Sequence, residues 1–203
     1  MNVNNPTPSH RSALAGLSLL MLLSSLGTSI ANVALPAMAR AFAAPFSQVQ
    51  WVVLAYLLGV TTFIVSAGRL GDLYGRRRLL IAGLLLFGGA AALSGVAPWL
   101  WLVIGARALQ GLGAAVLMAL SLALVGEVVP KERTGAAMGL MGTTSAVGTA
   151  LGPSLGGLLT DQWGWRAIFA AQVPLSMVAL FLVLRVLPVD RARGGGQGLD
   201  PVG

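Results

Sequence analysis

Six apolar stretches alternate with short polar gaps along the chain: Ala13–Leu35, Gln48–Ala67, Leu79–Ala97, Trp99–Val129, Gly135–Leu159 and Ala167–Leu187. Each has about the length a helix needs to cross ~30 Å of hydrocarbon at 1.5 Å per residue. Pro153 and Pro174 fall inside two of them. In water such positions argue against a helix, but in a bilayer neighbouring helices satisfy the backbone groups that proline frees. Trp51, Trp99, Trp101, Trp163 and Trp165 fall at or near the predicted span ends, where amphipathic rings favour the interface. The pattern predicts an all-α membrane protein with a tail over 1–12, a bundle of six transmembrane helices over 13–187 and a linker over 188–203. Arg11 followed by an apolar run has the outline of a secretory signal, with small residues around Ser29–Ala31 as a cleavage site. The run continues to Leu35, beyond the roughly 7–15 residues of a signal core, so it reads as a retained span.

Composition agrees with a bilayer as solvent. Apolar residues make up 56% of the chain and charged residues 9%, against roughly 25% charged in a typical globular domain. With mean hydropathy at +0.83, polar side chains are too few to cover a water-facing surface. The net charge is +7, from 13 Lys and Arg against 6 Asp and Glu. A strongly basic chain can mark a nucleic-acid binder, but these basic residues lie mostly in the gaps and form no face with interleaved aromatics. They read as topogenic instead. With the N-terminus in the cytoplasm, Arg11, Arg69, Arg76, Arg77, Arg78, Lys131, Arg133, Arg185, Arg191 and Arg193 lie inside, and only Arg40 and Arg166 outside. That positive-inside bias puts both termini in the cytoplasm and the bundle in the plasma (inner) membrane. The absence of cysteine excludes disulfides, Cys-ligated zinc and thiol catalysis. No cofactor or metal is expected.

An internal repeat joins the second and fifth gaps. Gly68-x3-Asp72-x-Tyr74-Gly75-x-Arg77 matches Gly157-x3-Asp161-x-Trp163-Gly164-x-Arg166, 89 residues further on. Three spans separate the copies, so they fall on opposite sides of the membrane. This predicts two three-helix units of inverted topology, the device by which secondary transporters build alternating gates.

Three runs carry candidate chemistry. The first is Gly68 to Leu80, GRLGDLYGRRRLL. Its glycines permit a tight turn, Asp72 can cap a helix or pair with an arginine, and the arginines hold the loop in the cytoplasm. From charge alone it is equally a topogenic turn. The run resembles the loop between helices two and three of the major facilitator superfamily, G-x-L-a-D-x-x-G-r-r-x-x-L. The resemblance implies that Asp72, supported by Gly68, Gly75, Arg76 and Arg77, governs a conformational switch by engaging the opposite half of a transporter. Leu73 stands where that family often has a basic residue.

The second run places Arg107 and Gln110 on the fourth span, ahead of Gly111, Gly113, Ala114 and Ala115. Eight residues from Trp99, Arg107 lies about 12 Å deep. A guanidinium there costs at least ~2.5–3.5 kcal/mol and demands a polar partner or a cavity; snorkelling suits residues nearer helix ends. Gln110 is its helical neighbour, with Thr28 and Asn32 on the first span as partners across a cavity. The segment resembles the fourth-helix motif of the same superfamily, whose arginine is implicated in proton coupling. The third run is Gly148-x3-Gly152-Pro153-x2-Gly156-Gly157, a smooth stripe for close helix approach with a proline that favours a kink. It resembles the fifth-helix motif of exporters that work as antiporters.

Leu26 to Pro36 resembles the first-helix motif of the fourteen-span drug:proton antiporters, with Gly27 where an acid is common. Gly152-Pro153-Ser154-Leu155-Gly156 fits the G-x-S-x-G string of hydrolases, yet the lone His10 lies in the tail and no lysine occupies a span, so Ser154 lacks a base. The chain is not expected to be an enzyme. Leu199 to Gly203 resembles the lead-in to a seventh helix. The resemblance thus covers the chain but only the N-terminal half of the family's protein. It implies efflux of a small molecule in exchange for protons, with the lipid bilayer, the substrate and either the missing C-terminal half or a second copy as partners. A truncated half-protein that transports nothing, or a homodimer of half-transporters, is the alternative.

Overall fold

The computed structural model describes residues 10–186, which are helical apart from short turns. The elements are α1 (His10–Phe42), α2 (Phe46–Val49), α3 (Trp51–Tyr74), α4 (Arg76–Val96), α5 (Leu100–Val128), α6 (Thr134–Trp163), α7 (Ala167–Ala170) and α8 (Gln172–Val186), with one 3₁₀ turn at Lys131–Arg133. Among the described residues, five segments are long and apolar enough to cross a membrane: Ser12–Phe42, Phe46–Tyr74, Arg76–Val96, Leu100–Val128 and Arg166–Arg185. With its 30 residues α6 has the length, but glycine, threonine and serine dilute its apolar character. Asp190, Arg191, Arg193, Asp200 and the 188–203 linker lie outside the described residues, as does most of the 1–12 tail.

Helices outrun the apolar pattern that predicts them. The first continues through Pro36 to Phe42 rather than ending at Leu35. The run from Gly68 to Leu80, expected as a loop, is helix on both sides of Gly75. Backbone hydrogen bonding does not stop where hydrocarbon stops, so polar residues at the rim extend a helix that the apolar positions began.

Packing pairs α1 with α6 and α3 with α5, while α4 lies against α5 and α8. The interior is in two apolar layers. One gathers Leu17, Leu20, Tyr56, Phe87, Leu117 and Leu120 with their neighbours. The other gathers Ile30, Ala34, Met38, Val52, Trp165 and Phe169 with theirs. On α1, α5 and α8 the residues between these layers are polar and buried: Ser24 and Ser25, Arg107 and Gln110, Gln172 and Ser176.

The 89-residue repeat has a geometric counterpart. Gly75 ends α3 with φ 96° and Gly164 ends α6 with φ 82°, both in the left-handed region that favours glycine. On α4 the buried positions include Leu80, Gly83, Phe87, Ala90 and Ser94. On the α7–α8 segment they include Phe169, Gln172, Ser176, Ala179 and Val183, which is the same register at the same offset with different side chains. Arg77 reaches the Leu184 carbonyl near the end of α8, and Arg166 reaches the Ala97 carbonyl at the end of α4. The two helices therefore run antiparallel and are fastened at opposite ends of the bundle.

Candidate functional site: a buried arginine between two apolar layers

Arg107 is fully buried. Three of its N–H groups are spent on neutral acceptors from three elements. Nε donates to the Val52 carbonyl at 3.1 Å, Nη2 to the Gly27 carbonyl at 2.9 Å and Nη1 to Gln110 Oε1 at 2.8 Å. The guanidinium carbon stands 4.0 Å from the centroid of the Tyr56 ring and 5.9 Å from that of Phe169. A desolvated cation over an aromatic face gains ~2 kcal/mol, which with the three hydrogen bonds offsets part of the cost of burial. Tyr56 is itself fixed, its hydroxyl donating to the Ser24 carbonyl at 2.7 Å.

Gln110 extends this network. Its Nε2 donates to Gln172 Oε1 at 2.8 Å, and Gln172 Nε2 donates to the Ile168 carbonyl at 3.0 Å. The amide orientations are forced. An arginine only donates, so Gln110 must present its oxygen to Arg107 and its NH₂ to Gln172; Gln172 must then do the same in turn. Chemically, the arrangement is a fixed positive charge among neutral acceptors. A guanidinium keeps its proton in proteins, so Arg107 acts here as a charge and a donor array, not as a proton donor.

Gly27 has a local reason to be glycine. A carbon added there would lie 2.9 Å from Tyr56 Oη and 3.2 Å from Phe87. In place of an acidic side chain, the Gly27 backbone supplies Arg107 with a carbonyl.

The sequence-derived partners divide. Gln110 joins Arg107 as expected. Thr28 and Asn32, expected across a cavity from Arg107, are engaged on their own helix. Thr28 Oγ1 donates to the Ser24 carbonyl, and Asn32 Nδ2 to the carbonyls of Thr28 and Ser29. Asn32 is exposed and Thr28 half-buried. The reason is packing: Arg107 is closed in by α1 backbone, Tyr56 and Phe169, and faces no cavity. Tyr56 and Gln172 were missed by the sequence pattern. A tyrosine and a glutamine each standing inside an apolar span were the available signals, since polar groups at that depth need partners.

Asp72 pairs within its own chain. Its Oδ1 accepts Arg76 Nη2 at 2.8 Å and Nε at 3.1 Å. Arg76 Nη1 donates to Glu127 Oε1 at 3.0 Å and to the Ala123 carbonyl at 3.2 Å. These contacts join the end of α3 and the start of α4 to the end of α5.

The glycine stripe of α6, expected as a face for close helix approach, is packed on α1. A carbon added at Gly148 would lie 2.9 Å from the Leu22 carbonyl, and one at Gly156 2.7 Å from that of Ile30. Gly152 is closed off by Ser29, whereas Gly157 has only Val33 nearby, at 3.8 Å. Pro153 sits within an unbroken α6, and Ser154 is exposed on it.

The sequence model of the Major Facilitator Superfamily matches residues 17–200. The chain is 46% identical over 170 residues to the multidrug resistance protein Stp of Mycobacterium tuberculosis (strain CDC 1551 / Oshkosh), covering 83% of this chain and 31% of that protein. It is 38% identical over 197 residues to the puromycin resistance protein pur8 of Streptomyces alboniger, covering 96% of this chain and 39% of that protein. To the riboflavin transporter RibZ of Clostridioides difficile (strain 630) it is 36% identical, over 83% of this chain and 37% of that protein. The chain therefore spans well under half the length of these relatives. The fold is similar to the crystal structure of a bacterial homolog of the human lysosomal transporter Spinster, in an inward-facing, unoccupied conformation. The TM-score is 0.77 at 18% identity, over 94% of this chain and 45% of that one.

Proposed function

The chain belongs to the Major Facilitator Superfamily, and from that premise we propose that it forms one six-helix half of a multi-pass exporter. The exporter moves a small, partly apolar compound out of the cell in exchange for protons. A transporter family, and not an enzyme family, also accounts for Ser154, whose G-x-S-x-G string is a by-product of the glycine stripe. The half is built from two inverted repeats, (α1, α3, α4) and (α5, α6, α8). Supporting this are the paired left-handed glycines, the shared burial register of α4 and the α7–α8 segment, and the two arginine fastenings at opposite ends. In this reading α6 is the sixth span, its diluted apolar character tolerated because its glycine face is covered by α1.

Both termini lie in the cytoplasm of a cell whose plasma membrane holds the bundle. The exposed tryptophans Trp51, Trp99, Trp101 and Trp163 then share the outer interface. A second six-helix bundle, whether supplied as a continuation or as another copy, completes the substrate path. Arg107 and Gln110 set the charge beside that path, Thr28 and Asn32 stand closer to it on α1, and the Gly148–Gly157 stripe keeps α6 tight against α1. Asp72 and its neighbours Gly68, Gly75, Arg76 and Arg77 govern opening toward the cytoplasm. The resistance proteins among the relatives support export.

The single observation that carries the reading is the wholly buried Arg107, held by neutral acceptors inside the candidate span Leu100–Val128. Intramembrane charge at that cost points to function by default. Arg107→Ala introduced at the chromosomal locus should abolish resistance to exported compounds while membrane abundance stays unchanged. Resistance that persists at wild-type level removes Arg107 from the mechanism. Collapse of the proton gradient in inverted vesicles should stop accumulation of the same compounds; accumulation that continues unchanged overturns proton coupling. The intact mass of the product purified from membranes separates a lone half, near 20.8 kDa, from a chain that carries its second bundle.

A further inference from the structure

The hydrogen-bond chain from Arg107 does not stop at its helical neighbour. It leaves α5 through Gln110, enters α8 at Gln172 and ends on the Ile168 carbonyl of α7. Gln172 is 1% exposed and stands at the first position of α8, immediately after the Ala171 junction with α7. Its counterpart in the first repeat, 89 residues earlier, is Gly83 on α4, packed against Val116 and the Gly113 carbonyl without a polar side chain. The amide is thus a feature of one repeat alone. It occurs in the repeat whose α7 turn also brings Phe169 to 5.9 Å from the same guanidinium.

We infer that Gln172 is a positioning residue for Arg107: by anchoring the NH₂ end of the Gln110 amide it holds that amide's oxygen on the guanidinium and ties the buried cation to the α7 turn. Without Gln172 the Gln110 oxygen still faces Arg107, which only donates, but the Gln110 NH₂ is left a buried donor without this acceptor. The side chain must then shift toward another acceptor or carry the cost of an unsatisfied buried N–H, and either loosens its oxygen from the guanidinium. With Gln172 in place, a shift of the α7 turn is felt at Arg107 through two amides in series. This inference rests on the transport reading for its consequence, the coupling of α7 to the centre, but its test does not involve transport.

The full chain, labelled with ¹⁵N-arginine and held in lipid nanodiscs, gives a guanidinium signal for Arg107 that is identified by its loss in Arg107→Lys. Gln110→Leu removes the direct acceptor and shifts that signal. Gln172→Leu is expected to shift it in the same direction, and the double variant to shift it no further than Gln110→Leu alone, because the second residue acts only through the first. An Arg107 signal that ignores Gln172→Leu, or shifts that add in the double variant, overturns the proposal.

Gln172→Glu provides the second arm, decisive also where Gln172→Leu does not fold. A protonated carboxyl accepts from Gln110 through its C=O and donates to Ile168 through its O–H, as the amide does, whereas the ionised form has no donor. The charged or titratable side chains brought to this cluster are Arg107 from α5 and Tyr56 from α3. The Arg107 signal of Gln172→Glu should therefore be native-like in acid and displaced in alkali. A signal that is the same at both extremes assigns Gln172 to packing alone. Failure of Arg107→Ala to affect resistance would count against the transport reading and leave this result standing.

Discussion

The α3–α4 turn and the α6–α7 turn share one backbone and differ in the chemistry that fastens it. In both, a glycine with positive φ closes a helix, its N–H bonded four residues back: Gly75 to Gly71 at 3.1 Å and Gly164 to Thr160 at 3.0 Å. In both, the arginine two residues later crosses to a carbonyl at or near the end of a distant helix, at 3.1 Å from Arg77 to Leu184 on α8 and 3.0 Å from Arg166 to Ala97 after α4. Between glycine and arginine the two diverge. Arg76 holds a half-exposed ionic cluster with Asp72 and Glu127. Trp165 is buried, its ring 5.2 Å from that of Phe42 and edge-on to Phe169 at 6.2 Å, and Arg166 lies over it at 4.4 Å. Exposed ion pairs contribute ~0.2–1 kcal/mol each, whereas a buried aromatic contributes ~1.5–3 kcal/mol and its ring pairs a further ~0.5–1.5 kcal/mol. The ionic turn can thus open at small cost while the aromatic one stays shut. The two turns share a backbone shape, and the residue after the glycine, Arg76 or Trp165, decides how each is fastened.

The strongest way to break this comparison is at Trp165. Trp165→Ala should destabilise the bundle by about 3–5 kcal/mol, read as the unfolding free energy in bicelles. Arg76→Ala, at the corresponding place in the first turn, should lose well under half as much. Equal losses would mean that the two turns are held alike and that the aromatic cluster is incidental. A smaller effect sharpens the shared part. Gly164 has nothing within 4 Å of the position a Cβ would take, so Gly164→Ala tests backbone conformation without a clash. At φ 82°, ψ 168° it should cost about 1–3 kcal/mol, and Gly75→Ala, at φ 96°, ψ 129°, a comparable amount by the same measurement. A neutral result at either glycine would separate the turns in backbone as well as in chemistry.

Much of this was legible from residues and some was not. The spacing of glycine, aspartate, aromatic and arginine links Gly68–Arg77 to Gly157–Arg166, and the positive φ at Gly75 and Gly164 is what demands glycine there. The burial register shared by α4 and the α7–α8 segment left no such trace. Gly83 and Gln172, or Phe87 and Ser176, occupy equivalent buried positions with unlike side chains, since packing constrains the sum of volumes across an interface and not each member. Arg107 was visible as a charge at depth, and Gln110 as its neighbour one turn on. That Arg107 turns to Tyr56 and the Gly27 carbonyl rather than to Thr28 and Asn32 depends on helix rotation, which periodicity fixes weakly when every face of a span is apolar or small. For the same reason the glycine stripe announced a close contact without naming α1 as its partner.

The smallest stability effect belongs to Asp72, and it is the one that separates holding from switching. Its side chain is 55% exposed and its partner Arg76 keeps both Glu127 and the Ala123 carbonyl when Asp72 is lost. Asp72→Asn should therefore change the unfolding free energy by less than about 1 kcal/mol, and raising the salt concentration should shrink even that difference. Under the proposed function the same substitution should lower export several-fold, measured as resistance at matched membrane abundance, because the charge acts when the bundle changes state and not while it rests. Trp165→Ala makes the opposite forecast, losing abundance and export together. If Asp72→Asn instead leaves export intact, the ionic turn is topogenic only, and the contrast between the two turns concerns how the helices are held in place and not how they move.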